Sequence, residues 1–328
     1  MQEKTMRTIL TALLAAAGFA LGSAGPAAAQ SYPTQTIRMI APFPPGGSVD
    51  ITARLIAEPL GRELGQRVII ENRSGASGNI GMDAAARAAP DGYTLVLNTI
   101  PLVTNQSLFE KLTWDPIRDF APIGMVATSP HVLVVPARVQ AASVEELVKL
   151  ARSKPGKLSY ASAGVGTTFH FCGEMFKDAT GTFILHVPYR GGGPALLDTL
   201  AGQVEMSFPT LSAALPHVKA GTLRALAVTG AGRSPQLPDV PTMQEAGVKD
   251  FHFTQWLALL APAKTPPAIV NRLNAALKSA LDTPEVKEKF QSQAFESFIT
   301  TPEEAGKYLA AEVQRFSKLV KAKGITAN

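Results

Sequence analysis

Two short stretches carry the residue types that could do chemistry. APFPPGGSVD, residues 41–50, leaves an apolar strand at Phe43, is stopped by Pro44 and Pro45, turns on Gly46 and Gly47, and opens a helix with Ser48 and Asp50. SYASAGVGTTFH, residues 159–170, repeats the plan with Ser162, Gly164, Gly166, Thr167, Thr168 and His170. Glycines let a backbone approach a ligand closely. The first turn of a helix has unpaired N–H groups and a partial positive charge. Together they form an anion site. Neither loop contains lysine or arginine. Backbone and hydroxyl donors without a fixed cation suit a carboxylate better than a polyphosphate. No Walker A sequence occurs, and Gly164-Val165-Gly166-Thr167-Thr168-Phe169 has phenylalanine where a dinucleotide fingerprint needs its third glycine. The alternative is a pair of ordinary strand-to-helix turns; the residues alone leave both readings open.

Further residues are weighed beside these. Asp50 either stabilises the first helical turn or accepts a hydrogen bond from a ligand amino group or a water. His170 bonds either the second loop's backbone or a ligand. Tyr189 and Arg190 precede Gly191-Gly192-Gly193, and Arg190 is either a second carboxylate's bidentate partner or a solvated turn residue. Asn98 and Thr99 end a strand where α/β sheets bind ligands, and rank lower as contacts. Ser162 and His170 do not make a triad by spacing, and no G-x-S-x-G elbow occurs. The five histidines and Cys172 show no zinc-ligand spacing. No enzyme activity, metal or cofactor is expected.

The elements that must position these loops alternate. TIRMIAPF, RVIIEN and YTLVLNT read as strands; VDITARLIAEPLGREL and NIGMDAAARAA between them read as helices. HVLVVPA, LSYAS, FILHVPY, VEMSFPT and RALAVTG are further strands, with helices near 143–154, 167–179, 194–201 and 211–220. Helices over 266–282, 284–292 and 302–323 end the chain. Ser143 with Glu146, and Thr301 with Glu304, have capping-box spacing. This rhythm predicts two α/β lobes with mostly parallel sheets. The stretch 121–136 is expected to carry the chain out of the first lobe and 251–262 to return it.

The N-terminus has the form of an export signal: Lys4 and Arg7, an apolar run from Ile9 to Leu21, then small residues to Ala29. Cleavage after Ala29 is expected, leaving 299 of the 328 residues. The net charge of +5 falls to +4 when Lys4, Arg7 and Glu3 leave. No basic run or aromatic-rich basic stripe suggests nucleic acid. Cys172, the single cysteine, sits in an apolar helical context and is expected to pack as a small hydrophobe.

The opening string YPTQTIRMIAPFPPGGSVDITARLIAEPLGREL resembles that of the Bug-type receptors, the periplasmic solute-binding proteins of tripartite tricarboxylate transporters. The likeness continues through WDPIRDFAPI, SAGVGTTFH, HVPYRGGGPALLDTLAGQVE, KAGTLRALAVTG, LPDVPTMQEAG and APAKTPPAIVNRLN, in order over the whole mature chain. It implies a type II periplasmic-binding-protein fold, a two-lobed Venus flytrap of mixed, mostly parallel sheets flanked by helices. Expected boundaries are lobe 1 at 30–132 and 252–328, lobe 2 at 133–251, and hinge crossings near 125–135 and 248–258. The resemblance also implies that the two loops hold a ligand carboxylate, through Phe43, Gly46, Gly47, Ser48 and Asp50 on one side and Ser162, Gly164, Gly166, Thr167, Thr168 and His170 on the other. It implies a monomer that captures a di- or tricarboxylate, an acidic amino acid or an aromatic acid. The solute goes to transporter subunits in the membrane or, alternatively, to a membrane sensor. The chain departs from the family pattern at Pro45, at Trp114, in WLALLAP without its glycine, and at Ser207-Phe208-Pro209-Thr210. Thr210 joins the lower-ranked contacts. The last departure bears on the ligand's tail, so the ligand's identity stays open.

Overall fold

In the computed structural model, Ile37–Ala41 (β1), Val68–Asn72 (β2) and Thr94–Asn98 (β3) run parallel, with β1 in the middle. The structure describes residues 32–326; the expected signal peptide, 1–29, lies outside the described residues. Every residue of β3 is buried, as expected for a strand covered on both faces. Ser48–Leu64 (α1) and Asn79–Ala86 (α2) are the intervening helices, and Pro101–Leu108 (α3) follows β3. Phe120–Pro130 (β4), Thr254–Pro262 (β10) and Glu296–Ser297 (β11) complete a six-stranded sheet in the order β11-β4-β10-β3-β1-β2. Here β10 is antiparallel to β3 and β4.

The second sheet has five strands. Val132–Pro136 (β5), Ser159–Ser162 (β6), Leu185–Pro188 (β7), Met206–Ser207 (β8) and Leu223–Val228 (β9) lie in the order β7-β6-β8-β5-β9. Strand β6 is parallel to β7 and β8, while β5 is antiparallel to β8 and β9. Val144–Ser153 (α4), Thr168–Thr180 (α5), Gly192–Leu200 (α6) and Leu211–Lys219 (α7) are this lobe's helices. Pro267–Asp282 (α8), Pro284–Ser292 (α9) and Pro302–Lys323 (α10) follow β10. Two mixed sheets, each flanked by helices, give the two-lobed α/β architecture expected from the sequence. Among the described strands, however, four pairings are parallel and five antiparallel, so the sheets are not mostly parallel: the returning strand β10 and strand β5 run against their neighbours.

The chain leaves the first sheet at Pro130 and enters the second at Val132; it leaves β9 at Val228 and rejoins the first sheet at Thr254. The strands on either side of these crossings are neighbours, with Gln255 opposite Ser129. His131 sits in the first crossing. Its amide donates to Thr229 Oγ1 at 2.8 Å, its carbonyl accepts from the Thr229 amide, and Thr229 Oγ1 donates to the Phe253 carbonyl at 2.6 Å. Three segments of the crossing region are thereby tied together. Behind them Phe316 of α10 meets Phe171 of α5 edge-on at 5.3 Å.

The caps read from sequence differ in one detail. Thr301 and Glu304 form the reciprocal box at α10. Ser143 accepts from the Glu146 amide, but the Glu146 carboxylate reaches the Ala142 amide, one residue earlier than a capping box requires. Cys172 is fully buried in the core of the second lobe, where burial pushes its thiol pKa well up.

Candidate functional site

Two prolines at the end of β1 cannot continue a strand's hydrogen-bond ladder, so the chain turns at Pro44–Gly47 and enters α1. Asp50 points back into this turn. It accepts from the Gly46 amide at 3.1 Å, from Arg54 Nε at 3.0 Å and from Asn72 Nδ2 at 3.0 Å. Asn72 Nδ2 also reaches the Phe43 carbonyl at 3.0 Å. Burial alone would raise the Asp50 carboxyl, but hydrogen bonds from Arg54, Asn72 and Gly46 outweigh it and hold the pKa below its ordinary value. The carboxylate thus fastens the loop to its helix.

The second loop is fastened similarly from beneath. The Gly164 amide donates to Ser162 Oγ at 3.2 Å, the Gly166 amide to His170 Nδ1 at 3.1 Å, and Thr167 Oγ1 to the Gly164 carbonyl at 2.6 Å. Ser162 Oγ also lies 2.6 Å from His186 Nε2. The His186 ring is stacked between Tyr160, at 4.9 Å, and His170, at 4.1 Å. Burial lowers both histidines, His170 to about 4 and His186 to about 3, the latter depressed further by His170. Glu174, bonded to Tyr160 and Lys177, closes the cluster. With Nδ1 an acceptor, His170 is neutral and holds the loop's backbone in place.

The two loops meet. Ser77 Oγ donates to the Val165 carbonyl at 2.9 Å and Thr104 Oγ1 to the Gly166 carbonyl at 2.9 Å. Gly166 has φ of 75°, and a Cβ there would sit 2.1 Å from Leu108 Cδ1. The left-handed backbone favours glycine, and a side chain there would have to push the Leu108 methyl group of α3 aside. On the other side of the cleft, a Cβ on Gly193 would lie 2.6 Å from the Pro45 carbonyl oxygen. The glycines before and at the start of α6 thus let this helix end close on the first loop.

Between the loops lies a cavity of about 30 Å³ lined by Phe43, Gly47, Ser48, Val49, Thr99, Pro101 and Gln255 from one lobe and by Ala163, Thr167, Thr168, Phe169 and Gly192 from the other. Its wall is made from the N-termini of four helices: α1, α3, α5 and α6. Helices α1, α5 and α6 leave first-turn amides unpaired; α3 opens on Pro101 and its Leu102 and Val103 amides donate to the Thr99 and Ile100 carbonyls at 2.8 and 2.9 Å, so it contributes its dipole alone. No lysine, arginine, aspartate or glutamate lines it. The field at the cavity is therefore positive with no cationic side chain, and the donors are fixed before any ligand arrives.

Of the residues singled out in the sequence, Phe43, Gly47, Ser48, Thr167, Thr168 and Thr99 line this cavity. Gly46, Asp50, Ser162, Gly164, Gly166 and His170 lie in the layer that shapes the two loops. Asn98 is fully buried, and its Oδ1 accepts from the Thr99 amide at 2.7 Å. Thr99 Oγ1 in turn donates to the Trp256 carbonyl at 2.5 Å. Tyr189 and Arg190 lie outside the cavity wall; burial, then a hydrogen bond to Asp198, pushes the Tyr189 hydroxyl up to about 12. Arg190 is exposed. Thr210 caps α7 and its Oγ1 accepts from Ser212. Sequence reasoning missed the ends of α3 and α6, and Gln255. The signals were present: a proline after the end of β3, three glycines opening a helix, and a lone amide in the apolar run TQWLALLAP.

Residues 52–325 match the tripartite tricarboxylate transporter family receptor, TctC. Protein BugT of Bordetella pertussis is 39% identical over 320 residues, covering 96% of this chain and 98% of that protein. The solved structure of the periplasmic binding protein BugD is 33% identical with a TM-score of 0.86, covering 90% of this chain and 99% of that one. An R. palustris protein solved with adipate is 36% identical with a TM-score of 0.87, covering 90% and 99%. The family match over most of the chain, with a relative covered almost end to end, places this protein among the receptors of the tripartite tricarboxylate transporter family.

Proposed function

We propose that this receptor works in the periplasm, where it closes on a small carboxylate and hands it to the membrane subunits of a tripartite transporter. The observation that carries the reading is the meeting of four helix N-termini at one small, uncharged, partly open cavity. A carboxylate there accepts from the amides of Ser48 and Val49 on one lobe and Thr168 and Phe169 on the other, with the Ser48 and Thr167 hydroxyls beside them. The adipate found with the R. palustris relative supports a flexible aliphatic dicarboxylate as the first solute to try.

The cavity has room for a water-sized group, so a solute's head fits the closed arrangement and its tail must displace side chains or hold the lobes slightly apart. The crossings near 125–135 and 248–258 would act as the hinge, with lobe 1 at 30–132 and 252–328 and lobe 2 at 133–251. Contacts made to one carboxylate by both lobes exist only when the lobes meet, and this difference is what draws the open state toward the closed one. Export would follow from the leader described above.

Thermal unfolding of the purified protein against a series of dicarboxylates and their diamides tests the reading. A ligand of the folded state raises the midpoint with its concentration. Adipate or a homologue is expected to raise it and the matching diamide to leave it unchanged. Equal shifts from acid and amide would remove the anion site from the account.

A further inference from the structure

Gln255 is the second residue of β10, just inside the return crossing, and it lines the cavity. It is 1% exposed. Its Oε1 accepts from Ser48 Oγ of α1 at a long 3.5 Å. Nε2 is buried and has no hydrogen-bond partner among the described residues. A buried amide nitrogen normally finds an acceptor, because leaving it unpaired is costly. Here the cost sits in the wall of the site, beside the backbone amides and the Ser48 and Thr167 hydroxyls.

We infer that Gln255 is the side chain that recognises the solute's carboxylate, its Nε2 donating to an oxygen lone pair that the helix amides leave free. The inference deepens the receptor reading and rests on it. A carboxylate has about four lone-pair positions over two oxygens, so a side-chain donor from the hinge strand complements helix ends arriving from the sides. The anion also selects this orientation of the amide, since the flipped form would set a carbonyl oxygen against a carboxylate oxygen. The Gln255 main chain pairs with Ser129 across the two crossing strands. The contact therefore lies on the part of the molecule about which the lobes would turn.

The role separates from a structural one by the sign of two effects. Replacing Gln255 with methionine keeps the volume and removes the unpaired amide. Calorimetric titration with adipate at pH 8 is expected to show about ten- to hundredfold weaker binding for Gln255→Met. The melting midpoint without adipate is expected to stay equal to wild type or rise. Gln255→Glu is expected to lose binding at pH 8 and regain part of it at pH 6, where a protonated buried carboxyl can donate, while wild-type affinity stays level over that interval. Wild-type affinity in Gln255→Met would overturn the inference, as would a fall in its ligand-free midpoint. Failure of the wild-type protein to bind adipate or any other dicarboxylate of the series would instead overturn the dicarboxylate reading, and this inference with it; that failure is seen in the parent protein before any variant.

Discussion

Gly166 carries three demands at once: a left-handed backbone, a carbonyl that accepts from Thr104, and a Cα close to Leu108. Gly166→Val is expected to fold, shown by an unchanged far-ultraviolet spectrum, and to bind its solute at least about tenfold more weakly, because a β-branched residue at positive φ is strained and blocks the approach of α3. Normal affinity in the folded variant would remove the second loop from the site. Asp50 has the opposite profile. With Gly46, Arg54 and Asn72 on its oxygens, Asp50→Asn is expected to lower the melting midpoint while keeping affinity within about threefold, a change of under about 1 kcal/mol. A large loss of affinity at an unchanged midpoint would put that carboxylate on the solute. The sequence offered Asp50 two roles, and the hydrogen bonds support the helix-stabilising one. Gln255 was passed over because a single amide among apolar residues has no spacing to recommend it. Only the fold shows that its nitrogen is unpaired.

At the scale of elements, the strands and helices that alternate with a clear period were legible: α1, α5 and the C-terminal helices lie within a residue or two of the stretches read from sequence. Helix α3 was not. Its first five residues, Pro101 to Asn105, are all buried, and a helix covered nearly all round shows no amphipathic period. That concealed one of the four helix ends that build the site. The buried histidines of the crossing and of the cluster beneath the second loop make a separate prediction. His131, His170 and His186 all have folded-state pKa values below the ordinary 6.5, at about 4, 4 and 3, with burial the main cause. A lowered histidine pKa means the unfolded chain binds more protons, so stability is full above about pH 6.5 and is lost as pH falls toward the folded values. Melting midpoints measured from pH 7.5 down to 4 are expected to fall through that window. A flat profile between pH 6.5 and 4.5 would show that these rings are not buried neutral.

Across the whole molecule, two sheets exchange the chain twice, and side-chain hydrogen bonds tie the faces they turn to each other. Ser77 to Val165 and Thr104 to Gly166 are two of these. Removing both hydroxyls, as Ser77→Ala with Thr104→Val, takes stabilisation from the closed state alone. The double variant is expected to show a larger radius of gyration by X-ray scattering without solute, and to return to the wild-type value at saturating solute with weaker apparent affinity. No change in radius would mean that these bonds do not set the balance between open and closed. A second, wider groove of about 750 Å³ also bridges the lobes, lined by residues such as Pro44, Leu197, Pro216 and Lys219. It is apolar on most sides and takes only the starts of α6 and α7, both from one lobe, into its wall, whereas helix ends of both lobes meet at the small cavity, so the carboxylate is placed there. The most direct test is a crystal structure of the receptor with its tightest-binding carboxylate. The account predicts a carboxylate within hydrogen-bonding distance of the first-turn amides of both α1 and α5, with Gln255 Nε2 beside it. A solute seated in the wide groove, or touching only one lobe, would contradict it.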